Sequence, residues 1–244
     1  MVWASADIGS GIYLKSFCRK PTSEKIVALT FDDGPDEVMT PKVLAVLKQY
    51  DIKATFFMVG SKVAQRPHIV REMIAEGHNI GNHTYSHKGM FPLSGANEIE
   101  IELRKCCDAI AEISGEQPKL FRPPFGVTNP IIGRVVRELG LNSIGWSIRS
   151  LDTVSKRSRE DVCTKVIRQL HPGAVILLHD RCKDADILLQ MLIPKIIEKG
   201  YRFTTIDNLI QRNENEDDKI YTNNNCSYDW LYCVGSKRLY GRTI

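Results

Sequence analysis

Apolar runs alternate with charged or glycine-containing breaks along this 244-residue chain. Residues 26–31 are apolar apart from Thr30, as in a buried strand, and run straight into Asp32-Asp33-Gly34-Pro35, two carboxylates and a turn signal. Thr40-Pro41 reads as an N-cap and first helical residue, with Val43, Leu44, Val46 and Leu47 on one helical stripe behind it. Residues 54–59 read as a second buried strand, 67–76 as a helix stopped by Gly77, and 78–82 as a short third strand. Ile99, Leu103, Cys106, Ile110 and Ile113 recur at helical spacing and predict an amphipathic helix ending at Gly115. Residues 119–121 predict a brief strand, 130–139 a helix, 141–146 a strand and 159–170 a helix. The most apolar strand, 174–178, runs into His179-Asp180; a helix over 185–199 and a last strand over 201–204 follow.

Three segments repeat the order helix, glycine (Gly77, Gly140, Gly200), strand. Strands and helices alternate roughly seven times, which predicts an α/β fold with a parallel sheet of βα units. Residues 1–25, broken by Gly9, Gly11 and Pro21, form an irregular lead-in, and 26–212 form the body. From Asn213 the composition turns polar, so 213–244 reads as a tail, although Tyr228, Trp230, Leu231 and Tyr232 could dock on the body.

Composition narrows the function classes. With 43% hydrophobic and 25% charged residues the chain is neither disordered nor membrane-embedded, and no apolar run approaches the roughly 18 residues of a membrane helix. The net charge of +4 comes from scattered residues, which gives no nucleic-acid signature and fits a neutral or mildly anionic substrate. Met1-Val2-Trp3-Ala4-Ser5 lacks the charged and apolar regions of a signal peptide, so none is visible. Cys106 and Cys107 sit in a helical pattern as small buried hydrophobes; Cys226 and Cys233 could pair, though nothing demands it.

The chemistry-bearing residues share a position. Asp32-Asp33, His83 and His87, Arg122 and His179 all follow the ends of apolar strands, and in a (β/α) barrel those ends share the face on which active sites are built. Alone, Asp-Asp-Gly is equally a solvated turn, and His83-x-x-x-His87 equally a pair of core or surface histidines. If helical, the two imidazoles lie on one face, and with Asp33 they supply two nitrogens and one oxygen to Zn²⁺ or another divalent transition metal. Such a site polarises a carbonyl and acidifies water, and Asp32 is left as the base. Arg122, held before two prolines, either orients Asp32 or bridges two loops. His179 could protonate a leaving group with Asp152 orienting it, while His68, His78 and His171 read as structural or solvated.

Thr30-Phe31-Asp32-Asp33-Gly34-Pro35, His83-Thr84-Tyr85-Ser86-His87, Arg122-Pro123-Pro124-Phe125-Gly126 and Leu177-Leu178-His179-Asp180 together resemble the motifs of the polysaccharide deacetylases, the NodB-homology or carbohydrate esterase family 4 group. The resemblance covers residues 25–212 and keeps the family's motif order. It implies a distorted (β/α) barrel of about seven parallel strands, and a catalytic domain over 26–212. The implied activity is metal-dependent removal of acetyl groups from glycans, by a hydrolase acting on carbon–nitrogen bonds other than peptide bonds.

By the same resemblance Asp32 matches the general base and Asp33, His83 and His87 the metal triad. Arg122 matches the residue that tethers the base, the Phe125 backbone N–H the oxyanion donor, and His179 the general acid oriented by Asp152. Leu177, Trp146 and Pro124 match the substrate pocket. Phe125 stands where the family usually has Tyr; Arg149 stands where an acid is common, and Thr153 where a Trp usually lines the acyl pocket. These departures bear on substrate more than on reaction type. The implied cofactor is Zn²⁺, with Co²⁺, Ni²⁺ or Mn²⁺ as alternatives. The implied substrate is peptidoglycan or another N-acetylglucosamine polymer of the bacterial cell wall, which places the protein at the cell envelope or outside the cell. The rivals are an O-acetyl xylan-type esterase, a small cyclic-amide hydrolase, and a glycan-binding module without turnover.

Overall fold

The computed structural model describes residues 8–211. The strand β1 (Ile26–Gly34) is buried along its whole length, as a strand covered on both faces must be. It lies within a curled, all-parallel arrangement with β2 (Thr55–Met58), β3 (Asn79–Asn82), β4 (Leu120–Phe121), β5 (Asn142–Ser143), β6 (Ile148–Arg149) and β7 (Ala174–His179). The order is β5-β4-β3-β2-β1-β7-β6, and β8 (Arg202–Thr204) pairs with the start of β1. This is the distorted (β/α) barrel expected, with seven strands in the row and an eighth beside it.

The helices are α1 (Met39–Gln49), α2 (Gly60–Gln65), α3 (Pro67–Ala75), α4 (Ala96–Ser114), α5 (Pro130–Glu138), α6 (Arg159–Gln169), α7 (Ala185–Glu198) and α8 (Ile206–Gln211). The expected stripe of α1 is buried, and Cys106 and Cys107 lie buried on α4, which ends at Gly115 in the left-handed conformation. The apolar strand faces and helix stripes meet in one large core, from Val27, Leu29 and Phe31 out to Leu192 and Ile196. α8 meets the opposite, inner side of the sheet: Ile206 and Leu209 pack with Ile26, Ala28, Phe57 and Val175. No helix among the described residues is long and apolar enough to cross a membrane.

Two expectations need correction, and three elements were not anticipated. Thr40 is not an N-cap: α1 begins at Met39, and the Thr40 hydroxyl instead donates to Asp180 Oδ2 at 2.6 Å. The strand expected over 141–146 shrinks to β5, because the next backbone groups leave the ladder. Gly145 N–H donates to Phe17 O, and the carbonyls of Ile144 and Gly145 accept from the Arg122 guanidinium. The sheet resumes at β6, which sequence periodicity did not separate. The short helices α2 and α8 were not anticipated either.

The described part of the lead-in is docked. Phe17 bridges Ile144 and Arg19 bridges Ala174, so this segment lies across the gap between β5 and β7. Its backbone passes so close to α5 that a Cβ on Gly133 would overlap the carbonyl of Tyr13. The tail residues 213–244, with Cys226 and Cys233, lie outside the described residues.

Candidate active site

The two aspartates at the end of β1 point into one mouth because the strand is irregular there. The pairing of β1 with β2 shifts register between Asp32 and Gly34, and Asp33 itself adopts the left-handed conformation at φ 74°. The turn therefore lies at Asp33, not at Gly34 as the sequence implied. Gly34 is required for another reason: a Cβ there would overlap the Asp180 carboxylate, which is fully buried behind the turn. Burial pushes the Asp180 carboxyl up to about 7, and the Thr40 hydroxyl is its hydrogen-bond donor.

His83 and His87 are not on a helix. They occupy a loop after β3 in which Thr84 and His87 take positive φ, and the loop brings their rings to 4.8 Å between centroids. Its shape is fixed by local hydrogen bonds. The Asn82 side chain accepts from Thr84 N–H, the Thr84 hydroxyl from His87 N–H, and the buried Glu102 of α4 from both the N–H and hydroxyl of Ser86. The N–H groups of Gly60 and Ser61, at the start of α2, donate to the carbonyls of Thr84 and Tyr85. These supports carry no motif signal; a buried acid at Glu102 on the apolar side of α4 was the one readable clue.

Asp33 Oδ1 lies 3.2 Å from His87 Nε2 and 3.5 Å from His83 Nε2. It is buried without a hydrogen-bond partner, facing two imidazole nitrogens. His83 Nδ1 lies 2.7 Å from the Arg122 carbonyl; a carbonyl only accepts, so Nδ1 carries the proton and Nε2 presents its lone pair. Burial and the neighbouring His83 lower the pKa of His87, which favours its neutral ring. Burial would raise the Asp33 carboxyl, but His83, His87 and Arg181 outweigh it and hold the group well below the usual carboxylate range. Two imidazole nitrogens and a carboxylate oxygen, all within 4.8 Å of one another, fit a divalent cation.

The second carboxylate is held apart from this set. Asp32 Oδ1 accepts from Arg122 Nη1 at 2.7 Å, and Asp32 Oδ2 lies 3.8 Å from His83 Nε2. Arg122 is wholly buried, yet all three of its nitrogens are engaged: Nη1 also reaches Thr30 Oγ1 at 2.8 Å, Nη2 the Gly145 carbonyl at 2.8 Å, and Nε the Ile144 carbonyl at 3.1 Å. Its guanidinium lies 4.1 Å from the Phe57 ring centroid and 5.7 Å from that of Trp146. Of the two readings open for Arg122, orienting Asp32 or bridging two loops, the geometry contains both.

On the other side, His179 Nδ1 lies 2.9 Å from Asp152 Oδ1, and its backbone N–H donates to Asp152 Oδ2. Ser150 also donates to Asp152. Burial lowers the His179 pKa, but Asp152 first, then Asp32 and Asp33, reverse this and raise it on balance. Cys182 lies near this pair, but its thiol is pushed up to about 12 by burial, and both Asp152 oxygens are already engaged. Phe125 has φ 61°, its ring edge-on to His87 at 5.0 Å and largely exposed. Leu177 and Pro124 are buried and Trp146 half-buried, whereas Arg149 and Thr153 are exposed. His78 is buried with Nδ1 accepting from Ala54 N–H, and burial lowers it to about 4; His68 and His171 are partly or largely exposed.

The polysaccharide deacetylase family profile matches residues 19–144, and the chain belongs to that family. Over 212 residues it is 37% identical to the peptidoglycan-N-acetylglucosamine deacetylase PgdA of Listeria monocytogenes, across 84% of this chain and 44% of that protein. The chain thus spans about half the length of that relative. A family 4 acetyl xylan esterase from Clostridium thermocellum, solved with a cobalt ion, superposes with TM-score 0.71 at 35% identity, over 77% of this chain and 91% of that one. A family 4 pseudoenzyme from Bacillus anthracis superposes with TM-score 0.73 at 26% identity, over 79% of this chain and 68% of that one.

Proposed function

We propose that this chain is a metal-dependent hydrolase that removes N-acetyl groups from a glycan of the peptidoglycan type. The observation that carries the reading is the buried, unpartnered Asp33 Oδ1 facing two imidazole nitrogens, with a second, separately held carboxylate beside it. Asp33, His83 and His87 hold the divalent ion, Zn²⁺ by the two-nitrogen, one-oxygen donor set. When bound it polarises the acetyl carbonyl and lowers the pKa of water.

The chain's own residues do the rest. Asp32, fixed by Arg122, takes the proton from the attacking water. The Phe125 N–H donates to the carbonyl oxygen as charge gathers on it. His179, its pKa raised by Asp152, donates a proton to the departing nitrogen. An amide leaves as a poor anion and needs that proton more than an ester does, so the intact Asp152–His179 pair favours N-deacetylation over the xylan-type O-deacetylation. Leu177, Trp146 and Pro124 wall the acetyl pocket, and Arg149 and Thr153 stand at its open side. A glycan of this class places the substrate in the cell envelope.

A glycan-binding protein without turnover is the second reading, favoured by Thr153 and Arg149. A missing ligand or base would favour it further, and none of Asp32, Asp33, His83 or His87 is missing. Acetate release from N-acetylglucosamine oligomers, with and without EDTA and with Zn²⁺ restored, tests the proposal; acetylxylan alongside separates amide from ester. Metal-dependent release from the oligomers is expected. Glycan binding with no acetate from either substrate would establish the second reading instead.

A further inference from the structure

Arg181 belongs to none of the family motifs quoted above, yet it touches the centre of the site. It stands two residues beyond His179 at the end of β7, and its Nε–H donates to Asp33 Oδ2 at 2.7 Å. That is the oxygen opposite the one facing the imidazoles. The side chain is 45% exposed. A long, half-exposed arginine usually samples many rotamers, but here the charge-assisted bond pins the guanidinium at the mouth.

The bond uses only one of the donor positions. The terminal nitrogens of Arg181 make no hydrogen bond among the described residues, and together they form the planar fork that grips a carboxylate at two points. The acids beside it are already engaged: Asp32 by Arg122, Asp152 by His179 and Ser150, and Asp180 by Thr40. Beyond Asp33 on its Nε, the fork therefore has no second internal anion among these acids. Because its Nε is bonded to the carboxylate that reaches the imidazoles, it lies beside the sugar being processed or that sugar's immediate neighbour. A neutral sugar gains little from a fixed cation, whereas a carboxylate there gains a charged, two-point contact.

We propose that Arg181 is a specificity-determining residue whose tethered guanidinium binds a carboxylate on the acetylated sugar or its neighbour, making an acidic N-acetylated glycan the preferred substrate. This rests on the deacetylase reading for its reaction but not for its binding. The carboxylate has two possible sources, an ether-linked acid on the amino sugar itself, as in N-acetylmuramic acid, or a uronic acid next to it.

Three matched oligosaccharides test this: a neutral N-acetylglucosamine oligomer, one carrying the ether-linked acid, and one alternating with uronic acid. For Arg181→Gln, kcat/KM on the preferred acidic oligomer is expected to fall roughly tenfold further than on the neutral one, through KM. An equal fall on all three would reduce Arg181 to a clamp on Asp33 and overturn the proposal, as would no change on any. The acidic oligomer that shows the extra loss identifies the source of the charge.

A binding arm separates this outcome from failure of the reaction itself. Calorimetry on Asp32→Asn, with and without Arg181→Gln, should show the acidic oligomer losing affinity selectively. The same titration on EDTA-treated protein removes any contribution from altered metal content. If wild type releases no acetate but still binds the acidic oligomer through Arg181, the deacetylase reading fails and this inference stands. Binding indifferent to Arg181 sinks the inference alone.

Discussion

The two flanks of the mouth are built on different principles. The flank from β1 to β4 holds Asp32, Asp33, His83 and Arg122, all buried, and nearly every polar atom there has an assigned partner. The flank from β6 to β7 holds one bonded pair, buried Asp152 with half-buried His179, but its outer residues Arg149, Thr153 and Arg181 face solvent. Buried polar groups must be satisfied, so the first flank admits few alternatives. Exposed side chains are free to change without cost to the fold. We propose that the first flank, together with the Asp152–His179 pair, is the seat of the reaction, and the outer residues of the second flank the seat of substrate choice.

The comparison can be broken at several points. The largest effect is expected at the first flank. Asp32→Asn should lower acetate release by roughly 10²–10⁴-fold while leaving metal content intact. His83→Ala should lower bound metal, measured by elemental analysis of the purified protein; unchanged stoichiometry would remove His83 from the ligand set. Arg122→Met strips the partner from a buried carboxylate and should cost about 3–5 kcal/mol in denaturant unfolding. A loss below 1 kcal/mol, measured so, would mean that this flank is not over-determined.

Smaller effects are expected across the mouth. His179 has its pKa raised in the fold, so its contribution to stability is complete below the ordinary histidine value and is lost as pH rises through the raised one. As an acid it also works only while protonated, and turnover should fall over the same rise. Asp152→Asn should move that alkaline limb to lower pH; an unmoved limb would detach Asp152 from the mechanism. The smallest change is expected at the rim. Thr153→Trp should shift the preference between acetyl and longer acyl groups by a few-fold, without altering stability, and an unchanged preference would place Thr153 outside the pocket.

The same contrast explains what could be read from the sequence. Asp32, Asp33, His83, His87 and Arg122 were legible because strand ends in a parallel barrel converge, so spacing in sequence did not matter. The strands were legible where they are long and apolar, as in β1 and β7. Sequence reasoning failed where backbone groups find partners outside their own element. The segment after β5 gives its carbonyls to Arg122 and an N–H to Phe17, which no periodicity encodes. The spacing of the two histidines left a helix open, but the loop's conformation depends on Glu102, Asn82 and Gly60, each distant from it or silent in composition. Arg181 was missed because its significance lies in one contact across the mouth.

Arg122 has a consequence beyond catalysis. Its guanidinium joins the first strand, through Thr30 and Asp32, to the stretch where the curled sheet is sealed by the lead-in, through Ile144 and Gly145. Asp32 is therefore positioned only once the circle is complete. A chain that has opened at this seam keeps its acids but not their alignment, so enzymatic competence and the integrity of the seam rise and fall together.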